Sequence, residues 1–262
     1  MTDILHAVFL GILEGLTEFL PVSSTGHLIL FVDLLGFQGP PGRVFEVAIQ
    51  LGAVLAICAL YWRKLWNVTI NLPTSAASRL FAANILIAFL PAMVLGALFH
   101  SYIKEVLFDP QVVCIALIVG GIALLVLERV LNKPHIHRVD DLPLPSAFKI
   151  GVVQCLAMVP GVSRSGATIM GGLLLGLDKR TAAEFSFFLA IPTMAGAVAY
   201  DLYKNWEHLV FDDWQVIAIG FITAFLAALA VVQFMLRLIT RWGFAPFAIY
   251  RIILGAVMLT LI

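Results

Sequence analysis

Two short segments gather the side chains that could do chemistry. The first, EGLTEFLPVSSTGH at residues 14–27, holds Glu14, Glu18, Ser23, Ser24, Thr25 and His27. Glu14 and Glu18 are four apart, so they share one face of a half-helix that Pro21 ends. Ser23 or Ser24 can cap a returning half-helix, whose N-terminal amides then point at the tip, an arrangement suited to an anion. The second segment, PGVSRSGAT at 160–168, repeats this design and sets a guanidinium, Arg164, between Ser163 and Ser165. Gly161 and Gly166 permit close backbone approach there. SSTG at 23–26 matches SRSG at 163–166. Two helix N-termini, one arginine, the amides around Gly26 and Gly166, and the hydroxyls of Ser23, Ser24, Thr25, Ser163, Ser165 and Thr168 make a phosphate cradle.

The solvent in which this cradle must form follows from composition. The chain of 262 residues is 61% hydrophobic and 12% charged, with a mean hydropathy of +1.02. These values identify an integral membrane protein. A formal net charge of zero gives no electrostatic footprint for nucleic acid, and none is expected as a partner. Cys58, Cys114 and Cys155 lie in apolar runs without metal-type spacing and read as small hydrophobes rather than a disulfide. Asp3 stands where a leader would be basic, and Glu14 and Glu18 interrupt the first apolar run, so no cleaved signal peptide is expected.

Six stretches are long enough to span as helices, 44–62, 81–99, 112–131, 184–203, 214–236 and 245–262. Two others, about 4–36 and 147–177, are too long for one helix and are broken near their middles by Pro and Gly beside the polar clusters. Such breaks are tolerated at membrane depth where they are buried in protein or line a wet cavity. The expected fold is an all-α integral membrane protein of one domain, with six transmembrane helices and two re-entrant helical hairpins. The order hairpin, three spans, hairpin, three spans makes two repeats, about 1–131 and 147–262. An odd number of crossings inverts the second repeat and brings the two tips together near the midplane. One set of loops holds eleven basic residues, from Arg63 to Arg241; the other holds Arg43, Lys104 and Lys204. The positive-inside rule puts the first set in the cytoplasm and both termini outside, and the first hairpin then enters from the outer face.

Not every polar residue here is functional. Thr17, Ser186 and Thr223 read as helix–helix glue. Glu14, Glu18, His27 and Arg164 are ionisable at membrane depth, where function is the default. Glu46, Glu184, Asp201 and Arg251 lie nearer span ends or apart from any cluster, so structural pairing explains them equally well. His135, His137, Asp140 and Asp141 read as a solvated loop.

EGLTEFLPVSSTGH and PGVSRSGAT, with the flanking FEVAIQLGA and AAEFSFFLAIP, resemble the bacterial undecaprenyl-diphosphate phosphatase family, also known as the bacitracin-resistance protein, over essentially the whole chain. The resemblance implies hydrolysis of undecaprenyl diphosphate to undecaprenyl phosphate and inorganic phosphate, recycling the lipid carrier of cell-wall synthesis. It also implies a divalent cation, Mg2+ or Ca2+, and the bacterial plasma membrane. The family's acidic pair matches Glu14 and Glu18, its serine-histidine element Ser23, Ser24 and His27, and its arginine element Ser163, Arg164 and Ser165. A homo-oligomer is compatible with all of this.

On that resemblance, Arg164 and the helix N-termini would hold charge developing on the phosphoryl oxygens, while a cation on Glu14 or Glu18 would neutralise the leaving side. Three attacking atoms fit. Ser24 and His27 are three apart on one helix face, so either could address the phosphorus, and a metal-bound water is the third candidate. Ser24 is favoured, because backbone amides at a helix N-terminus stabilise its alkoxide character, with His27 or Glu18 taking its proton. The competing class is a transporter or flippase for a lipid phosphate or small anion, since inverted repeats and a midplane anion site are ordinary transporter design. A transporter has little use for a histidine, a hydroxyl and two carboxylates around one phosphate.

Overall fold

The computed structural model describes residues 2–37, 39, 44–102, 107–131, 133–204 and 214–261. Among them the chain is helical throughout, and the sole β-type pairing is an isolated bridge between Ile136 and Leu177. Gln38, Arg43, Lys104 and Asn205 lie outside the described residues, so the sparsely charged loops are known from sequence alone.

Helices occupy all six expected stretches, but they are not six equal spans. Four helices are long and apolar enough to cross a membrane by themselves: α5 (Ala76–Tyr102), α6 (Pro110–Val130), α9 (Lys179–Lys204) and α10 (Trp214–Trp242). A fifth candidate is the pair α3 (Val44–Leu60) and α4 (Trp62–Asn71), bent by 74° at Tyr61. The expected span 44–62 therefore ends at Leu60. Beyond it α4 exposes Trp62, Trp66 and Ile70 at four-residue spacing, as a helix lying along an apolar–polar boundary would. The last helix, α11 (Ala245–Leu261), is apolar but only 17 residues long. The chain is a multi-pass membrane protein with four to five helices that meet the length and composition of a span.

The two regions read as hairpins are each a pair of short helices separated by a break. The first is α1 (Thr2–Thr17) and α2 (Ser24–Leu35); the second is α7 (Leu144–Gln154), extended by a 3-10 turn at Cys155–Met158, and α8 (Arg164–Leu174). Within each pair the helices touch. Packing then crosses between the halves of the chain: α1 lies on α10 while α7 lies on α5, and α3 touches α10 while α9 touches α5. Small residues make these crossings close, as they do wherever helices associate in lipid. A Cβ on Gly15 of α1 would stand 2.7 Å from Ala227 Cβ of α10, and one on Gly151 of α7 would stand 2.8 Å from Ala88 Cα of α5.

The core lies where α3, α5, α7, α8, α9 and α10 meet around Phe19, Phe185, Phe187 and Phe188, all buried. Outward positions on the long helices, such as Leu90, Leu98, Val126, Phe234 and Ile253, stay exposed, as lipid-facing residues do. Basic residues form ion pairs around the connections that follow α3, α6 and α8. Lys64 bonds Asp140 at 2.8 Å, Lys179 bonds Glu128, and Arg180 bonds Glu184 at 3.1 Å. His137 and Asp178 pair at 2.9 Å, so the solvated loop contributes to this polar end. Cys114 is buried, and Cys58 and Cys155 are half-buried.

Candidate active site

Each break ends in a serine with left-handed backbone. Ser23 has φ 70° and Ser163 φ 80°, and among the described residues these are the two non-glycine positions with positive φ. That region costs an ordinary residue roughly 1–3 kcal/mol and persists only where the surroundings impose it, typically at functional sites. Each serine is a helix cap. Ser23 Oγ accepts from Gly26 N at 3.3 Å and Ser163 Oγ accepts from Gly166 N at 3.0 Å. Ser24 and Arg164 are thus the first residues of α2 and α8, where helix geometry leaves backbone N–H groups without intrahelical partners.

The tips are in contact. A Cβ on Gly26 would lie 3.4 Å from Gly161 Cα, and Ser165 Oγ of the second break donates to Leu20 O of the first at 2.6 Å. At the junction the carboxylate of Glu18 accepts two side chains. Its Oε1 takes Arg164 Nη2 at 2.8 Å, and its Oε2 takes the Ser24 hydroxyl. Arg164 Nη1 also bonds Ser186 O at 2.8 Å and Ser186 Oγ at 3.2 Å. Both ion-pair partners are nearly out of solvent, at 9% and 3% side-chain exposure, which is where such a pair fixes geometry most tightly. Arg164 Nε is buried without a partner among the described residues.

These groups line a cavity of about 360 Å3. Its polar wall includes Glu18, Ser23, Ser24, Thr25, Ser163 and Arg164, and its apolar wall is built from α5 and α9, including Phe89, Met93, Met194 and Ala197. Phe108, Tyr200 and Asp201 stand at the end where α5 and α9 run toward the sparsely charged loops. A polar end and an apolar trough suit a ligand with a charged head and a hydrocarbon tail.

The remaining predicted residues do not line the cavity. Gly26 and Gly166 lend amides to the serine caps, Ser165 ties the tips together, and Thr168 bonds Ser186 Oγ at 2.7 Å. Their work is to hold the cradle. His27 departs furthest from expectation: its spacing from Ser24 put both on one face, yet its ring is fully buried and points elsewhere. Its Nδ1 bonds Ser23 O at 2.7 Å and its Nε2 meets Tyr250 Oη at 2.7 Å. The Ser23 carbonyl already accepts the backbone N–H of His27 at 3.1 Å, and its second lone pair takes the ring nitrogen, which turns the ring back over the break.

Ser186 of α9 does join two helices, as expected, because its hydroxyl bonds Arg164 and Thr168 of α8, and it thereby also supports the site. Thr17 and Thr223 donate to carbonyls of their own helices, at Leu13 and at Ile219 and Gly220, rather than across a helix pair. Arg251 and Tyr250, outside the predicted set, reach this region from α11; the intramembrane charge at Arg251 was the signal that could have found them.

Glu14, one turn before Glu18, is fully buried behind it. Both of its oxygens lack a donor among the described residues, and its carboxyl stands against that of Glu18. Two facing carboxyls cannot both stay charged without a proton or a cation between them, and Glu14 is the one whose oxygens are open to either, whereas Glu18 already accepts from Ser24 and Arg164.

A profile of the family described as "Bacitracin resistance protein BacA" matches residues 7–257. Three bacterial relatives are alike over nearly their whole lengths. "Undecaprenyl-diphosphatase 2" of Paramagnetospirillum magneticum is 56% identical over 260 residues, covering 98% of each chain. "Undecaprenyl-diphosphatase 1" of Agrobacterium fabrum is 55% identical over 255 residues, covering 97% of this chain and 95% of its own. "Undecaprenyl-diphosphatase" of Caulobacter vibrioides is 56% identical over 263 residues, covering 100% and 98%.

Proposed function

The chain belongs to the bacitracin resistance protein BacA family, and from that membership we propose that it hydrolyses undecaprenyl diphosphate to undecaprenyl phosphate and inorganic phosphate. The observation that carries the reading is the Glu18 carboxylate, bonded by a serine hydroxyl on one oxygen and by an arginine on the other, in the wall of a cavity with an apolar trough. Binding an anion would need the arginine and the amides alone. A hydroxyl hydrogen-bonded to a carboxylate is the pairing of a nucleophile with its base.

The terminal phosphoryl group sits against the Arg164 guanidinium and the open amides at the starts of α2 and α8, and the polyprenyl chain lies along α5 and α9. Ser24 Oγ attacks the terminal phosphorus, its proton passes to Glu18 Oε2, and the bridging P–O bond breaks to release undecaprenyl phosphate. That first proton leaves through the cavity to solvent. In the second half Glu18 takes a proton from an attacking water and returns it to Ser24 Oγ as inorganic phosphate departs. Arg164 holds Glu18 and the phosphoryl oxygens in one plane, which a bidentate guanidinium does well. A divalent cation, Mg2+ or Ca2+, would be held by Glu14 beside Glu18, and when bound it supplies positive charge to offset the carboxylates and the diphosphate.

The architecture we propose for this site is six spans and two re-entrant hairpins in inverted repeats. The exchanged packing, α1 on α10 with α7 on α5, supports it, as does the matched cap geometry at Ser23 and Ser163. Basic loops gathered at one end support a plasma-membrane orientation with that end cytoplasmic, and the cavity leads the other way, toward the periplasm. Phosphate release from undecaprenyl diphosphate by the purified full-length protein tests the function directly. A folded protein that moves a labelled lipid phosphate across vesicles without releasing phosphate would replace hydrolysis with transport.

A further inference from the structure

Among the described residues Arg251 is the largest fully buried side chain, and it reaches main-chain carbonyls. Its Nη1 donates to Pro21 O at 3.2 Å, and its Nη2 donates to Gly161 O at 2.8 Å and Ala116 O at 3.3 Å. Pro21 lies in the first break, Gly161 in the second, and Ala116 in α6. A break within a helix pair leaves carbonyls without their i+4 donors, and in a dry interior each such carbonyl must be satisfied. A guanidinium offers five donors in a rigid plane, so one arginine can bond three segments where a lysine would reach one or two. The backbone is shaped to admit it: Arg251 Nη1 lies 3.2 Å from where a Cβ on Gly166 would stand, and a Cβ on Gly120 would collide with the guanidinium.

The preceding residue acts on the same place. Tyr250 stacks on His27, with centroids 5.6 Å apart and planes 10° apart, and its hydroxyl meets His27 Nε2 at 2.7 Å. His27 Nδ1 faces the Ser23 carbonyl, which can only accept, so Nδ1 donates. In the neutral ring Nε2 then accepts from the tyrosine hydroxyl. The path runs from Tyr250 through His27 to the carbonyl of Ser23, the strained residue that immediately precedes Ser24. Neither Tyr250 nor Arg251 lines the cavity.

We infer that Tyr250 and Arg251 of α11 are positioning residues for the hydrolysis: they hold the two helix breaks in the register that puts Ser24 and Arg164 on the same carboxylate. Arg251 sets the distance between the breaks by bonding a carbonyl in each. Tyr250 sets the pitch of the first break by locking the His27 ring against Ser23 O. This rests on the phosphatase reading, because it assigns these residues to the turnover step. Misplacing a nucleophile by an ångström lowers kcat far more than it changes binding of a long lipid.

The test uses purified full-length protein in detergent, with undecaprenyl diphosphate as substrate and released phosphate as readout. Tyr250→Phe removes one hydroxyl from a ring that is 43% exposed, so the fold should persist and thermal unfolding should move little. Its kcat should fall about tenfold, with KM within about twofold. Combined with His27→Ala, it should cost nothing beyond His27→Ala alone, since both break one path. Arg251→Lys should lose more of kcat with the same preserved KM; should that variant unfold, Tyr250→Phe and its cycle with His27 decide the matter. Wild-type kcat in Tyr250→Phe, or losses that multiply in the double variant, would overturn the inference. Wild-type protein that releases no phosphate would instead remove the phosphatase reading itself.

Discussion

Ser24 and Arg164 occupy the same position in the two helix breaks, each the first residue after a left-handed cap serine, and both bond the carboxylate of Glu18. One backbone motif used twice thus presents a hydroxyl from one side and a cation from the other. The carboxylate between them is the hinge of the site, since it orients the guanidinium and is the nearest base to the hydroxyl.

Glu18→Gln should therefore lose both functions, because an amide neither accepts the Ser24 proton nor pairs with the arginine. A fall in kcat of about 10^2–10^4 is expected for loss of a general base, and a larger loss than the same change at Glu14. Steady-state phosphate release by the two Gln variants settles the order. Equal and small losses would return both carboxylates to a structural role.

Arg164→Lys keeps the charge and should still lose most activity, on the order of 10^2-fold or more. The guanidinium bonds Glu18 through Nη2 and both the carbonyl and the hydroxyl of Ser186 through Nη1, and one ammonium cannot reproduce that planar set while also facing the substrate. Near-wild-type turnover in the lysine variant would contradict the clamp.

Glu14, with both oxygens lacking a donor, should set the dependence on divalent cation. Chelation should silence the wild-type enzyme, and Glu14→Gln should raise the Mg2+ or Ca2+ concentration needed for half-maximal activity, with partial recovery at high cation. The readout independent of turnover is cation-dependent thermal stabilisation, which the variant should lose. Activity indifferent to chelator would exclude Glu14 from cation binding.

How the sequence and the structure compare is clearest at individual residues. The breaks, their capping serines and the pairing of SSTG with SRSG were legible because helix caps and Pro–Gly interruptions are local signals. The direction of His27 was not. Helical spacing placed it beside Ser24, but the ring's direction follows from Ser23's positive φ and from Tyr250, 223 residues away. The bend at Tyr61 was equally hidden, since 44–62 reads as one apolar run. Arg251 was visible as an intramembrane charge, yet its partners are carbonyls, and no side-chain pattern announces those.

At the polar end, Asp178 caps α9 by accepting from Thr181 N at 2.8 Å. Burial pushes its carboxyl up, but the Thr181 and His137 hydrogen bonds outweigh that and hold it below the usual aspartate value. A depressed folded-state pKa stabilises the fold above the unfolded value of about 4 and is lost as pH falls through the folded value. Asp178→Asn should lower the melting temperature at pH 7 and leave it unchanged at pH 2, by thermal unfolding in detergent. An equal deficit at both values would locate the effect in packing.

Orientation can be read with single cysteines in an otherwise cysteine-free chain. Gln111 is exposed at the start of α6 and Thr74 is exposed in the turn after α4. Gln111→Cys should react with an impermeant thiol reagent in intact cells, and Thr74→Cys only after permeabilisation. Labelling of position 74 from outside would invert the proposed arrangement and with it the proposed periplasmic mouth of the cavity.

The hydrogen bonds around Ser24 favour it over His27 as the proposed attacking atom. Its hydroxyl donates to Glu18, while His27 is occupied by Ser23 O and Tyr250, so the imidazole cannot reach phosphorus without breaking both. A covalent intermediate should therefore form on Ser24. Rapid quench with labelled undecaprenyl diphosphate should trap a phosphoprotein that survives acid and is cleaved by base, mapping to Ser24. Ser24→Ala should abolish both the trapped label and turnover. A label that acid removes, on His27, would reverse the assignment and require the ring to swing free. Robust turnover in Ser24→Ala with no phosphoprotein would leave direct attack by water, with Glu18 as its base and the serine reduced to a hydrogen-bond donor.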